Sequence, residues 1–276
     1  MSGALPVAPL FVPGNRPERF AKAAASGADA VIIDLEDAVD ASEKDAARAH
    51  MQAFAVEPGE GGACPLYVRV NGADTEWWAD DLAAVAARAV PLAGIIVPKS
   101  EDRAALAEAG RHAPVLALIE TAVGIARLAD LLAVEAVVGL AFGSLDYGLD
   151  LGCEPDWEPL MLARQTLVLQ ARLAGRPAPI DGVTPAFDDA DLVKREAARA
   201  RAMGFGGKLA IHPRQLAPIQ AAFRPDAQQI DWARQVLAAA RSDSAVAVAG
   251  RMVDKPLVEQ ARQVLARAGL PADGSQ

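Results

Sequence analysis

A closed (β/α)8 barrel is the fold class this sequence predicts, and three observations point there. Short runs rich in Val, Ile and Leu alternate with longer Ala-rich stretches of helical period, eight times between residues 9 and 213. The runs are continuously apolar, the pattern of strands covered on both faces. The turn after the first run, "VPGNRPERF", lacks the GxGxxG of an open dinucleotide-binding sheet, so the closed barrel is the better α/β architecture.

The expected strands are "PLFVP" (9–13), "AVIIDLE" (30–36), "PLYVRV" (65–70) and "GIIVPK" (94–99). They continue with "PVLALIE" (114–120), "AVVGLAFGS" (136–144), "APIDGV" (178–183) and "KLAIHP" (208–213). Helical period marks 41–55, 76–89, 121–132, 157–174 and 188–203. Ser42, Asp74 or Thr75, and Asp188 stand where side-chain oxygens would cap orphan amides at helix starts. Residues 226–242 read as one more helix, and 245–269 as an extended piece, a loop and a last helix. That remainder is too long for barrel helix eight alone. Residues 1–223 are therefore expected to form the barrel and 224–276 a C-terminal appendage.

Composition narrows the function. The formal net charge of −9 argues against nucleic acid or an anionic membrane as the main partner, while leaving room for a small anion at a local basic patch such as Arg16, Arg19 and Lys22. No apolar run approaches the roughly 18–20 residues of a membrane span. The N-terminal apolar run is cut by prolines and has no basic region before it, so no signal peptide is expected and a cytoplasmic location is. Cys64 and Cys153 stand far apart, without the spacing of a disulfide framework or a zinc site.

In such a barrel the reacting groups sit at the C-terminal ends of the strands. Those ends carry Asp34, Glu36 and Asp37, then Arg69 and Asn71, Lys99, Glu120, Asp146, Asp181 and His212, all expected to converge on one mouth. Crowded acids repel one another unless a cation joins them. Oxygen ligands without a His/Cys cluster suit Mg2+ or Mn2+, and Glu120 and Asp146, with no arginine nearby in sequence, are the carboxylates best placed to take it. Asp34 is expected to make a hydrogen bond within the barrel, and His212 to be a buried structural residue. His50 and His112 carry no signal, and Trp77 and Trp78 read as packing. Gly143, Gly206 and Gly207 read as tight turns or close backbone approaches.

Eight segments in register, "LFVPGNRPERFAKA", "VIIDLEDAV", "VRVNG", "IIVPKSE", "ALIETAVGI", "FGSLDYGLDLG", "KLAIHP" and "GRMVDKP", resemble the citrate lyase β-subunit-like family. That group stands with the malyl-CoA and citramalyl-CoA lyases, near the HpcH/HpaI aldolases, on a TIM barrel. The resemblance spans residues 9–260, nearly the whole chain. It implies reversible, Mg2+-dependent carbon–carbon cleavage of a β-hydroxyacyl-CoA such as malyl-, citramalyl- or citryl-CoA into acetyl-CoA and a 2-oxoacid. By position, Glu120 and Asp146 match the metal carboxylates, and Arg69 matches the arginine on the substrate's carbonyl and enolate oxygens. Glu36 and Asp37 match the acids that hold metal-bound waters and that arginine. Phe11, Arg16 and Lys22 match the contacts to CoA adenine and phosphates. Asp254 matches an acid carried by a C-terminal helical lid over the mouth, commonly of a neighbouring subunit in a homotrimer; its other reading is a cap on the last helix. The lid favours a free-standing CoA enzyme over a subunit of a citrate lyase complex. The alternatives are thioesterase or malate-synthase-like activity on the same residues, a CoA-independent class II pyruvate aldolase, and a non-enzymatic scaffold. Lys99 marks the Schiff-base rival mechanism.

Overall fold

The computed structural model describes residues 5–55, 64–241, 247–248 and 251–271. Two compact units divide the chain, Met1–Ile219 and Gln220–Gln276. The first is a TIM barrel. Its strands are β1 (Pro9–Pro13), β2 (Ala30–Asp34), β3 (Leu66–Arg69), β4 (Gly94–Val97), β5 (Val115–Ile119), β6 (Val137–Phe142), β7 (Ile180–Asp181) and β8 (Gly207–Lys208). They pair in sequence order, every pair parallel. A parallel bridge between Leu10 and Ala210 closes the ring. Lys208 N–H donates to Val7 O at 2.8 Å, Ala210 N–H to Pro9 O at 2.9 Å and Phe11 N–H to Ala210 O at 2.8 Å, so the seam carries its own ladder.

Among the described residues, ten α-helices lie between or after these strands: α1 (Phe20–Ala24), α2 (Lys44–Ala53), α3 (Trp78–Ala86), α4 (Arg103–Ala109), α5 (Ala122–Ala126), α6 (Leu128–Leu132), α7 (Ser144–Leu151), α8 (Met161–Leu173), α9 (Ala190–Met203) and α10 (Leu216–Phe223). Three expected caps are corrected. Ser42 lies inside a 3-10 turn, Ala41–Glu43, whose flanking Asp40 makes no side-chain cap. Residue 77, not Asp74 or Thr75, precedes α3, and Thr75 Oγ1 donates to Gly72 O instead. Asp189, one residue past Asp188, accepts from Leu192 N–H at the start of α9. The expected helix over 121–132 is two, meeting at Arg127, and α7 was not foreseen. No helix among the described residues is long and apolar enough to cross a membrane.

Period-two alternation assigns each strand two faces. Ile32, Ile96, Leu116, Leu118, Ala141, Ile180 and Leu209 pack together as the barrel's inner core, joined by Phe11 and Tyr67. Residues two further along the same faces, Asp34 after Ile32, Arg69 after Tyr67 and Glu120 after Leu118, therefore share the inward side near the mouth. The same parity corrects the expectation for Asp181. Ile180 faces inward, so Asp181 turns toward the helix layer, where it is fully buried. There it accepts from Arg164 Nε at 2.9 Å and Lys208 Nζ at 3.3 Å. Arg164 stacks on Trp157 and Phe142, its guanidinium 4.1 and 5.2 Å from the ring centres.

Asp181→Ala should cost about 3 kcal/mol, the lower end for breaking a buried pair, because Arg164 loses its carboxylate while Lys208 keeps Gly182 O at 2.7 Å and Glu196 at 3.5 Å. Equilibrium denaturation would measure it, and a loss under about 1 kcal/mol would show that the cluster relaxes or hydrates when broken.

The second unit holds α11 (Ala227–Ala239), a two-stranded antiparallel pair of β9 (Ala247–Val248) and β10 (Arg251–Met252), and α12 (Lys255–Arg267). Ala233, Val236 and Leu237 of α11 pack against Leu257, Ala261, Val264 and Leu265 of α12, the i, i+3, i+4 faces of two amphipathic helices. Asp226 and Gln229 close a capping box at the start of α11. Asp254 caps α12, its Oδ1 accepting from Leu257 N–H at 2.9 Å. Gly250, which the sequence offers for a flexible turn before it, lies outside the described residues.

Candidate active site

Asp34 explains the acidic cluster behind the second strand. It ends β2 facing inward, and its two oxygens accept the backbone N–H of Glu36 at 3.0 Å and of Ala38 at 3.1 Å. The same two oxygens receive the fork of Arg69, Nε at 2.7 Å and Nη2 at 2.7 Å. Asp34 thus folds the acidic turn and fixes the arginine plane, more than the single hydrogen bond expected of it. Arg69 Nη1 lies 2.9 Å from Glu36 Oε2, in ion-pair contact but without hydrogen-bond alignment, and donates to Asp37 at 3.2 Å. Its guanidinium sits 5.0 Å from the Phe11 ring centre. Burial alone would lower the Arg69 pKa, but Asp34, Glu36 and Asp37 outweigh it and hold the guanidinium more firmly charged than usual.

Lys44 braces the turn from behind. Its buried ammonium donates to Leu35 O at 2.7 Å, Glu36 O at 2.8 Å and Asn71 Oδ1 at 2.7 Å, and lies 4.9 Å from the Trp77 ring centre. Burial pushes its pKa down, against the pull of Asp34 and Asp81. Asn71 is in turn held by Asp81, through its backbone N–H at 2.7 Å and its Nδ2 at 2.6 Å, and Arg48 donates to Asp81 at 3.0 Å. Asn71 therefore serves this support, and it lines a cavity beside Glu36, Asp37 and Lys99 rather than the one that holds Glu120.

Glu120 follows β5 and is almost wholly buried. Its Oε1 accepts from Lys99 N–H at 2.8 Å. A Cβ at Gly143 would fall well inside contact distance of Glu120 Oε2, so the close approach expected at Gly143 is what admits this carboxylate. Burial pushes the Glu120 carboxyl up to about 8, with Glu36 and Asp146 adding to the rise and the Lys99 amide and ammonium opposing it. Asp146 is placed in the first turn of α7 rather than at a strand end. Lys99 Nζ donates to Glu36 Oε1 at 2.7 Å. Burial raises the Glu36 pKa against the pull of Arg69 and Lys99. For Lys99, burial is outweighed by its bond to Glu36, and the ammonium is held above its usual pKa. A nitrogen kept protonated this way is a poor Schiff-base nucleophile.

These residues open onto a cavity of about 360 Å3, lined by Asp34, Asp37, Glu120, Asp146 and Arg69, with Phe11 and an apolar wall of Leu118, Val183, Leu209 and Ile211. That is room for a small acid. Four carboxyl groups and one guanidinium line it, an excess of acids even with Glu120 protonated near neutral pH. Glu36 lies just behind it, bridging Arg69 and Lys99. Arg16 and Lys22 are exposed on and before the first helical turns and do not line this cavity. His212 stands outside the lining; it caps the 3-10 turn Pro213–Gln215, stacks on Phe187 with ring centres 4.8 Å apart, and is half-buried where full burial was expected. The apolar wall and the Lys44 brace were missed, since hydrophobic runs and a helix-start lysine look alike wherever they occur.

A parallel βα barrel with carboxylates and one fixed arginine gathered at its strand ends defines a class: barrel proteins whose site suits a divalent cation and a small oxygen-rich anion. The chain belongs to the HpcH/HpaI aldolase/citrate lyase family, whose model matches residues 8–213. A second model, a C–C bond lyase of the TIM-barrel fold, matches residues 163–270. The chain is 38% identical over 268 residues to the citrate lyase subunit beta-like protein of Mycobacterium tuberculosis, covering 94% of each chain. It is 37% identical over 270 residues to the (3S)-malyl-CoA thioesterase of Cereibacter sphaeroides, covering 94% of this chain and 93% of that one. Among solved structures, protein CitE of M. tuberculosis in complex with magnesium, acetoacetate and coenzyme A is similar with a TM-score of 0.85 and 36% identity, over 98% of this chain and 100% of that chain.

Proposed function

We propose that this chain is a Mg2+-dependent carbon–carbon lyase that reversibly cleaves a β-hydroxyacyl-CoA thioester into acetyl-CoA, or a homologue, and a 2-oxoacid. The observation that carries the reading is a single cavity lined by Glu120, Asp146 and Arg69. The donor set fits the metal. Glu120 offers one oxygen beside the glycine gap while the other is tied to an amide, Asp146 offers a second carboxylate, and neither His nor Cys lines the space. No group of three or more His, Cys, Asp or Glu side chains forms a metal cage among the described residues. Two carboxylates suit an ion that keeps several waters for substrate oxygens to replace. When bound, the ion would supply Lewis-acid stabilisation of charge on the oxoacid's oxygens.

The chain's own groups do the rest. In cleavage the β-hydroxyl gives up its proton to solvent and becomes the carbonyl of the 2-oxoacid, while the electrons of the breaking carbon–carbon bond pass onto the thioester, whose oxygen becomes an enolate. Arg69 holds fixed positive charge for that oxygen, its Nε and Nη2 committed to Asp34 and its Nη1 side turned toward the more open Asp37. The enolate carbon then takes a proton, a step we assign to Asp254. In this reading residues 224–276 act as a lid, and a neighbouring subunit of a trimer supplies it. Phe11, Arg16 and Lys22 hold the CoA portion. The support for these last assignments is the family resemblance. A free-standing enzyme is favoured over a carrier-bound subunit, because the Asp254 segment is present.

Thioester hydrolysis is a second reading, favoured by the relative named a (3S)-malyl-CoA thioesterase. One assay separates the two: purified protein with malyl-, citramalyl- and citryl-CoA, with and without EDTA, following acetyl-CoA and free thiol separately. Acetyl-CoA that disappears with EDTA is expected. Thiol without acetyl-CoA would favour the hydrolase, and turnover unaffected by EDTA would overturn the metal assignment.

A further inference from the structure

Lys99 is the only non-glycine residue with positive φ among the described residues, at 44°. A side chain there is strained, and such strain persists only where neighbours over-determine the backbone. They do. Val97 before it ends β4 in the barrel ladder, and Ser100 after it donates its N–H to Leu118 O at 3.1 Å and its hydroxyl to Val97 O at 2.8 Å. The value of φ fixes the angle between a residue's N–H and its side chain. At 44° the Lys99 amide meets Glu120 at 2.8 Å while the ammonium meets Glu36 at 2.7 Å. One residue therefore grips both carboxylates, one on the proposed metal side and one on the Arg69 side, by two different groups.

We infer that Lys99 is a positioning residue that ties the two halves of the site together. Its left-handed backbone aims the Glu120 carboxylate at the metal position, and its ammonium holds Glu36 against Arg69. The two devices are separable. This rests on Glu120 being a metal carboxylate.

The test uses the full-length protein and Mg2+ titrated by calorimetry in the presence of pyruvate, alongside turnover and thermal midpoint. Lys99→Gly keeps the amide and tolerates positive φ but lacks the ammonium. It should bind Mg2+ within about threefold of wild type while turnover falls about tenfold or more. Lys99→Arg restores a cation and should recover part of that turnover. Lys99→Val has a β-branched side chain that resists positive φ, and should lose about 10–100-fold in Mg2+ affinity, the usual scale for groups that orient a ligand. Wild-type affinity in Lys99→Val overturns the backbone device. Loss of Mg2+ binding in Lys99→Gly overturns the separation, and wild-type turnover in it overturns the ammonium's role. Should the valine variant not fold, glycine against arginine still decides whether the ammonium matters only for turnover. Wild-type protein that binds no Mg2+ with pyruvate would overturn the lyase reading as well, whereas tight wild-type binding with all variants alike would overturn the Lys99 assignment alone.

Discussion

Turnover of Arg69→Lys is expected to fall by about 10²–10³-fold, with a much smaller change in affinity for the 2-oxoacid. Lysine keeps the charge but not the plane. In the wild type Nε and Nη2 are both consumed by Asp34, at 2.7 Å each, and it is that fork which points Nη1 away toward Glu36 and Asp37. A single ammonium would settle between Asp34 and Glu36 and leave nothing aimed at a developing oxyanion. Steady-state kinetics on the responsive acyl-CoA, with calorimetry of the oxoacid, separates the two effects. A variant within a few-fold of wild type would mean that Arg69 only fastens the acidic turn.

Glu120→Gln is expected to abolish Mg2+ binding and the proton release that accompanies it. The metal-free Glu120 carboxyl sits at about 8, raised from 4.5 chiefly by burial, so near neutral pH the ion must displace a proton. Mg2+ affinity should therefore rise by up to about tenfold per pH unit below 8 and level off above it. The sign for stability is opposite to that of a salt-bridged acid. The folded state binds this proton more tightly than the unfolded one, so without the ion stability is lost as pH rises from about 4.5 to about 8. Glu120→Gln should flatten that slope, and saturating Mg2+ should offset it in the wild type only. Calorimetry in buffers of different ionisation enthalpy measures the proton released. Equal release from wild type and variant would move the titrating group elsewhere.

Much of this site was legible because a closed barrel turns chain order into geometry. Once Ile32, Tyr67 and Leu118 are read as inward-facing, Asp34, Arg69 and Glu120 must meet. The same rule applied residue by residue would have removed Asp181, whose neighbour Ile180 claims the inward face. Strand ends alone do not carry that parity. Asp146 was legible as an acid near a strand end, yet the turn that lifts it onto α7 was not, because Gly148 interrupts the short stretch "SLDYGLDL" and no side-chain cap marks its start. The bond between Lys99 and Glu36 joins residues 63 positions apart, and the φ of 44° behind it leaves no mark in composition. Caps were misjudged at Asp188 and Asp74 because several short polar side chains precede each helix, and the backbone turn selects Asp189 for α9 and none of them for α3, which follows Trp77.

The seam between β8 and β1 has a consequence for how the chain becomes a protein at all. Leu10 and Ala210 meet across 200 intervening steps of chain, and closing a loop that long costs about 5 kcal/mol of chain entropy before any contact is rewarded. During synthesis β1 must wait with one edge unpaired until residue 210 has emerged. By then Asp34, Arg69, Glu120 and Asp146 all lie on strands or turns already made. The acids and the arginine that line the cavity thus lie on segments that emerge before the ring can close. The ring shuts last, and the nascent chain is most exposed to edge-to-edge aggregation just before it does.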